Sequence, residues 1–171
     1  MIKAANTDKS LVLDLLTKSF ENNKSVNYLI KQNHKKRARL YELMDYSFEQ
    51  CQLNGEVYLS EDKKACALLV YPHHKKARIK SLKLDLKLMF NTIGLRSIKK
   101  TLRREKLIKS MQPKEEKLYL WFIGVDPKFQ HAGIGTQMLK EIQQLAQEAN
   151  LPLYLETSTV QNLPWYKKHG F

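Results

Sequence analysis

Six consecutive residues stand out for what their backbone can do: Gln130-His131-Ala132-Gly133-Ile134-Gly135. They follow an apolar run from Leu118 to Val125 and precede a helix-like run from Thr136 to Ala149. A strand, a tight glycine turn and a helix start, in that order, form an anion cradle. The N–H groups at a helix N-terminus have no intrahelical acceptor and point outward together. The helix dipole adds partial positive charge at the same place. A phosphate or pyrophosphate can therefore be held there without a basic side chain. Gly133 and Gly135 let the backbone approach a ligand closely, because no Cβ stands in the way. An ordinary packed strand-helix crossover would use the same glycines, and their spacing alone does not choose between the two readings.

A second block lies downstream: Leu153-Tyr154-Leu155-Glu156-Thr157-Ser158, then Asn162, then Trp165-Tyr166-Lys167-Lys168-His169-Gly170-Phe171. The two blocks in this order resemble the GNAT acetyltransferase superfamily. Its acyl-CoA motif is a strand ending in Val-x-Pro, then Gln/Arg-x-x-Gly-x-Gly/Ala, then a helix. Its second block ends in Tyr-x-Lys-x-Gly-Phe. The resemblance is specific over residues 117–171 and general over 1–116. It implies a mixed, mostly antiparallel sheet flanked by helices, an α/β (α+β) fold, with acetyl-CoA as acyl donor.

The resemblance also implies roles. In the family a bulged strand splays from its neighbour and takes the pantetheine arm as if it were an extra strand. Ile123 and Val125 would supply those backbone contacts. The amides of His131, Ala132, Gly133, Ile134, Gly135 and Thr136 would hold the pyrophosphate, and Gln130 would cap the turn or reach a phosphate. Asn162 fits the asparagine that contacts the pantetheine arm, and a helix N-cap is its other reading. Tyr166 matches the tyrosine that donates to the CoA sulfur. With an ordinary pKa near ~10, tyrosine keeps its proton at neutral pH and can serve as an acid; a core aromatic beside Trp165 is its other reading. Some members place a catalytic glutamate on the strand before the turn, but here that register holds Tyr119. Glu156 is the remaining carboxylate, either the base or a strand-end residue satisfied locally.

Elements must position these groups. Ile2–Ala5 reads as a short strand. A helix capped by Thr7 or Asp8 follows, with Leu11, Leu15, Leu16, Ser19 and Phe20 on one face, and 22–25 breaks it. Residues 35–53 read as a helix with Leu40, Leu43, Met44 and Phe48 inward. Asn54-Gly55 is a turn signal. Residues 56–60 and 65–71 read as a hairpin across 61–64. In 79–110, Leu82, Leu84, Leu86 and Leu88 alternate as in a strand. Ile79, Leu82, Leu86, Met89 and Ile93 fit a helix, which length and leucine content favour, with a break near Gly94 and an end before Pro113. Gly124 suggests a bulge in the strand 118–125. Residues 153–157 read as a strand and 162–169 as a short helix.

A chain of 171 residues suits one domain. The reading is a single domain over 1–171, with an acyl-CoA-binding core at 117–171 and an inserted basic helical segment at 75–110. Apolar and charged fractions of 43% and 27% are those of soluble globular proteins. No run approaches the ~20 apolar residues of a membrane span, and the N-terminus lacks a secretory h-region. A cytoplasmic location without a membrane partner is expected. Cys51 and Cys66 read as buried small hydrophobes, and no His, Cys or acidic spacing suggests a metal. His73-His74 read as a solvated loop.

The net charge of +13 is concentrated: Lys75 to Lys109 holds 13 Lys and Arg against Asp85 and Glu105. Such charge attracts nucleic acid, anionic surfaces or an anionic small molecule. With Phe90 as its one aromatic, the segment is poor in base-stacking groups, and a solvated helix face is the plainer reading. The expected reaction is acetyl transfer from acetyl-CoA to an amine, small-molecule or peptide, by direct attack in a ternary complex. The alternatives are a non-catalytic CoA-binding or nucleic-acid-associated protein, and an acyltransferase using a longer acyl chain or a hydroxyl acceptor. The resemblance stops at Phe171, where family members continue into two more strands. An open sheet edge and strand-mediated pairing, such as a homodimer, are therefore expected.

Overall fold

The computed structural model of the chain describes residues 1–74, 79–89, 92 and 95–171. The elements are β1 (Ile2–Lys3), α1 (Lys9–Phe20), α2 (Lys24–Leu29), α3 (Lys36–Asn54), β2 (Gly55–Leu59), β3 (Ala65–Val70), α4 (Ile79–Leu88), α5 (Leu95–Met111), β4 (Leu118–Val125), α6 (Ile134–Glu148), β5 (Leu153–Leu155) and α7 (Leu163–Lys168). The five strands form one sheet in the order β1-β2-β3-β4-β5. The first three pairings are antiparallel, and β5 runs parallel to β4. This is the mixed, mostly antiparallel sheet expected from the sequence.

Apolar side chains cover both faces of the sheet. Under α1 and α3 lie Leu16, Met44, Phe48, Leu59, Leu68 and Phe122. Under α6 and α7 lie Leu69, Leu118, Leu120, Leu139, Ile142 and Tyr166. Cys51 and Cys66 are buried free thiols, and burial pushes both pKa values up, so they stay protonated core groups.

Local chemistry corrects several expectations. Asp8 holds the N-cap position of α1 without capping it. Its carboxylate instead accepts from the Ala5 N–H at 3.1 Å and from Lys63 Nζ at 3.1 Å. The break at 22–25 also starts a helix not read from the sequence: the Asn23 side chain accepts from the Val26 N–H at 3.0 Å and opens α2. Asn54-Gly55 is not a turn, because α3 runs straight into β2. Glycine is needed there for closeness: a Cβ on Gly55 would sit 1.9 Å from the Leu69 carbonyl oxygen.

The leucine alternation at 82–88 loses to the helix. α4 turns Ser81 and Asp85 toward α3, where Gln50 Nε2 donates to Ser81 Oγ at 3.0 Å and Tyr46 donates to Asp85 at 2.7 Å. Lys80 pairs with Glu49 at 2.9 Å, and Lys87 with Asp45 at 3.0 Å. Strand β5 ends at Leu155, two residues short of expectation, and α7 covers 163–168. The predicted break at Gly94, Ile93, Phe90, and Lys75, Lys76 and Arg78 of the basic segment lie outside the described residues.

Candidate active site

The bulge in β4 is at Trp121, not at Gly124. Leu68 faces Phe122 and the next residue, Leu69, faces Leu120, so Trp121 is the extra residue. Backbone polar groups alternate sides along a strand. The Leu118 N–H donates to the Pro152 carbonyl at 3.0 Å, so Leu118 and Leu120 address β5. The Asp126 N–H donates to the Lys64 carbonyl at 2.9 Å, so residues 122 and 124 address β3. Ile123 and Val125 therefore turn their backbone groups away from β3. Pairing with β5 has by then ceased, at Leu120↔Leu155. A notch with an open strand edge results.

Gly124 has a different reason. A Cβ there would lie 2.9 Å from Ser19 Oγ and 3.4 Å from Leu16 Cδ2, so glycine lets α1 sit against the strand. Ser19 then donates to the Val125 carbonyl at 2.7 Å. The Gln130 amide donates to the same carbonyl at 3.3 Å. Gln130 thus caps the strand end, and the Val125 N–H and both Ile123 groups are left for the notch. Ser19 was missed from the sequence as a site residue; a glycine inside an apolar strand was the available signal of close approach.

The chain then makes a 3₁₀ turn, Pro127–Phe129, with the Asp126 carboxylate accepting from the Lys128 N–H at 3.0 Å. Two left-handed residues follow, His131 at φ 63° and Gly133 at φ 82°. They swing the backbone into α6, whose N-cap is Gly133. No side chain caps this end. The first intrahelical bond of the turn is Gln137 N–H to the Gly133 carbonyl at 2.9 Å. The N–H groups of Ile134, Gly135 and Thr136 have no carbonyl one turn behind them. A Cβ on Gly135 would come 3.3 Å from Val125 Cγ2, so the helix start is packed directly on the notch strand. A Cβ on Gly133 would meet nothing within 4 Å, so that side of the turn is open.

Helix α7 closes the same side. Trp165 Nε1 donates to Thr136 Oγ1 at 3.1 Å and ties α7 to the first turn of α6. Tyr166 is 8% exposed and packs in the cluster that also holds Ile123, Val125 and Ile134. Burial raises its pKa, and among the described residues its hydroxyl has no hydrogen-bond partner. Asn162 occupies the N-cap position of α7 but is exposed and its side chain caps nothing. Glu156 follows β5 directly, exposed, and accepts from Gln112 Nε2 at 2.6 Å. Beside it the rings of Tyr119 and Tyr154 pair at 5.9 Å. Burial first, then the charges of Glu156 and Glu105, raises the Tyr119 pKa. His73 belongs elsewhere: its Nε2 lies 2.9 Å from the Glu115 carbonyl oxygen. Among the described residues no three His, Cys, Asp or Glu side chains gather as a metal set, and no helix is long and apolar enough to cross a membrane.

A family profile described as acetyltransferase (GNAT) domain matches residues 102–171. Solved structures share the fold at low identity. The chain is similar to a protein described as histone acetyltransferase HPA2 and related acetyltransferase from Corynebacterium glutamicum, at 19% identity and TM-score 0.71, covering 99% of this chain and 82% of that one. It is similar to the C-terminal condensation domain of Ebony, solved with beta-alanyl-dopamine, at 12% identity and TM-score 0.69, covering 99% and 80%. It is also similar to arylalkylamine N-acetyltransferase 2 from Aedes aegypti, at 15% identity and TM-score 0.61, covering 99% and 80%. The profile spans the glycine turn, α6 and the Tyr166 block, so residues 102–171 match a GNAT acetyltransferase domain, and the whole chain shares the fold of these structures.

Proposed function

We propose that this chain transfers an acetyl group from acetyl-CoA to an amine, with donor and acceptor bound together. The observation that carries this reading is the continuity of the open edge of β4 with the left-handed turn and the uncapped start of α6. An extended amide-bearing arm suits the first, and a pyrophosphate suits the second. In this reading Ile123 and Val125 hold the pantetheine arm, the backbone from His131 through Ala132, Gly133, Ile134 and Gly135 to Thr136 holds the pyrophosphate, and Gln130 braces the turn through the Val125 carbonyl. Asn162, exposed and uncommitted, contacts the arm. Acetyl-CoA bound there supplies the activated acyl thioester.

The chain's own residues supply proton handling. Tyr166 keeps its proton because burial disfavours the phenolate, and its unpartnered hydroxyl is free to donate to a departing thiolate. Glu156, at the end of β5 beside the notch, accepts the proton of the attacking amine, and Gln112 orients its carboxylate. An amine acceptor is supported by the Aedes aegypti relative, which is an arylalkylamine N-acetyltransferase, and by the amine-derived ligand of the Ebony domain. The domain reading follows: one domain over 1–171, with its cofactor core at 117–171 and the helices of the 75–110 segment inserted before it.

Thermal unfolding with acetyl-CoA tests the cofactor claim. At a ligand concentration ~100 times Kd, the folded state gains about 2.7 kcal/mol. No shift at millimolar acetyl-CoA sinks the reading. Thiol release with a panel of amines tests the reaction, and release that Glu156→Gln leaves unchanged removes Glu156 from it.

A further inference from the structure

The exposed positions of α4 and α5 set cations beside large apolar side chains. On α5, among the side chains described, the exposed residues are Lys99, Leu102, Arg103, Lys106, Leu107, Lys109, Ser110 and Met111. Leu102, Leu107 and Met111 are 52, 62 and 75% exposed. On α4, Leu82 and Leu86 stand one turn apart, 60 and 47% exposed, with Lys83 between them. The two acids of this segment point inward: Asp85 accepts from Tyr46 and Gln50, and half-buried Glu105 lies in the field of Tyr119 and Tyr46. Lys80 and Lys87 are neutralised by acids of α3. Lys83, Lys99, Arg103, Lys106 and Lys109 have no ion-pair partner among the described residues. The inner side of α5 is already engaged through Arg104, which donates to Ser25 and stacks over Tyr28, and Gln112, just past the helix end, donates to Glu156. Among the described residues, the exposed positions of α5 are thus cations and large apolar groups, with Ser110 beside them.

We infer that this face adsorbs to an anionic lipid surface, the lysines and arginine meeting headgroups and the leucines and Met111 entering the acyl boundary. Each half of the pattern constrains the occupant. Cations attract any polyanion, but leucines among them gain nothing from phosphates. No exposed aromatic side chain on either helix, among the described residues, offers a stacking platform for bases. A second copy of the chain would set like charges against like charges across the interface. A bilayer interface rewards both components at once. Adsorption in the plane of the interface needs no spanning helix.

Vesicle flotation with the full chain tests it, using phosphatidylcholine alone and phosphatidylcholine with phosphatidylglycerol. The expected result is flotation only with the anionic vesicles. With ~1 kcal/mol per cation near such a surface, Arg103→Gln with Lys106→Gln weakens it roughly 30-fold. Leu102→Ser with Leu107→Ser must weaken it as well, while both double variants keep the wild-type melting temperature, since these side chains are exposed. Flotation that survives the leucine changes overturns the proposal. So does equal retention on neutral vesicles, tighter retention on duplex DNA than on anionic vesicles, or a dimer in sedimentation that the leucine changes dissociate.

Discussion

Gly133 offers a test in which conformation is separated from space. Its φ of 82° lies in the left-handed region, and an added Cβ would meet nothing within 4 Å. Gly133→Ala therefore adds no clash; its cost is the left-handed penalty of about 1–2 kcal/mol for a residue with a Cβ. Shifts of ~2–4 °C per kcal/mol in a chain of this size put the fall in Tm at roughly 2–8 °C. Asparagine tolerates the same region and is favoured at an N-cap, so Gly133→Asn should stay within ~0.5 kcal/mol of wild type. The turn is pinned on both sides, by Gln137 N–H on the Gly133 carbonyl at 2.9 Å and by Gly135 against Val125. Strain should therefore be absorbed in place, and the stabilisation by acetyl-CoA should fall by less than ~1.4 kcal/mol, a tenfold change in affinity.

The assay is thermal or urea unfolding of the three proteins with and without acetyl-CoA. Equal losses for alanine and asparagine would mean that the side chain meets something other than open space. An alanine variant as stable as wild type would mean that the backbone is not left-handed. An alanine variant of ordinary stability loss that no longer responds to acetyl-CoA would mean the turn had rearranged, refuting the claim that its neighbours pin it.

Three further outcomes follow from particular contacts. Tyr166→Phe should lower turnover by ~10²-fold while leaving Tm and the acetyl-CoA shift near wild type, because the hydroxyl has no partner among the described residues and its proposed role is proton donation; unchanged turnover removes Tyr166 as the acid. Gly124→Ala should destabilise by about 1–3 kcal/mol through overpacking against Ser19, and adding Ser19→Gly should recover part of that in an unfolding double-mutant cycle, whereas strict additivity would show that the two residues do not meet. Burial pushes the Asp45 carboxyl up, but Lys9 and Lys87 outweigh it and hold the pKa below 3.8; Lys9 chiefly, against burial, and then Lys80 hold Glu49 below 4.5. Depressed carboxylates stabilise above their unfolded pKa values and stop doing so as pH falls through the folded ones, so Tm should decline on acidification from about pH 4.5 downward, less steeply in Asp45→Asn.

The parts of the fold legible in the sequence were those where apolar period and turn chemistry agree. β4 was read to its last residue, because the apolar run from Leu118 to Val125 stops at Asp126-Pro127, and the run after the glycine turn was read as the helix that α6 is. The errors fall where one residue type serves two ends. Asn23 both follows a break and caps a helix, so α2 was missed. Gly55 and Gly124 read as turn and bulge signals, yet each is a glycine because another chain segment lies within van der Waals contact, which is a tertiary fact. Within the candidate site, the order of the two blocks located the turn and Tyr166. The commitments of Gln130 to the Val125 carbonyl, Glu156 to Gln112 and Trp165 to Thr136 join positions 5, 44 and 29 residues apart, and no local pattern encodes them.

The bulge joins these observations into one mechanism of site construction. β4 pairs with β5 only up to Leu120, the residue before the insertion at Trp121. An extra residue bends a strand and increases its twist, so the point where β4 leaves β5 and the point where it gains a residue are the same point for one reason. Beyond it, β4 keeps its bonds to β3 through Val125, so the strand remains rigid while its other edge is vacated. The side chains of Ile123 and Val125 now join Leu118 and Leu120 on the α6 face, which anchors the start of that helix through Val125 against Gly135. On the opposite face the Trp121 ring packs on Tyr46 at 6.2 Å and Phe122 at 5.4 Å, fixing the inserted residue in place. An unbulged strand would continue to pair with β5 and satisfy its own edge. The site thus depends on a deliberately interrupted ladder, and the aromatic packing of Trp121 keeps the interruption from annealing.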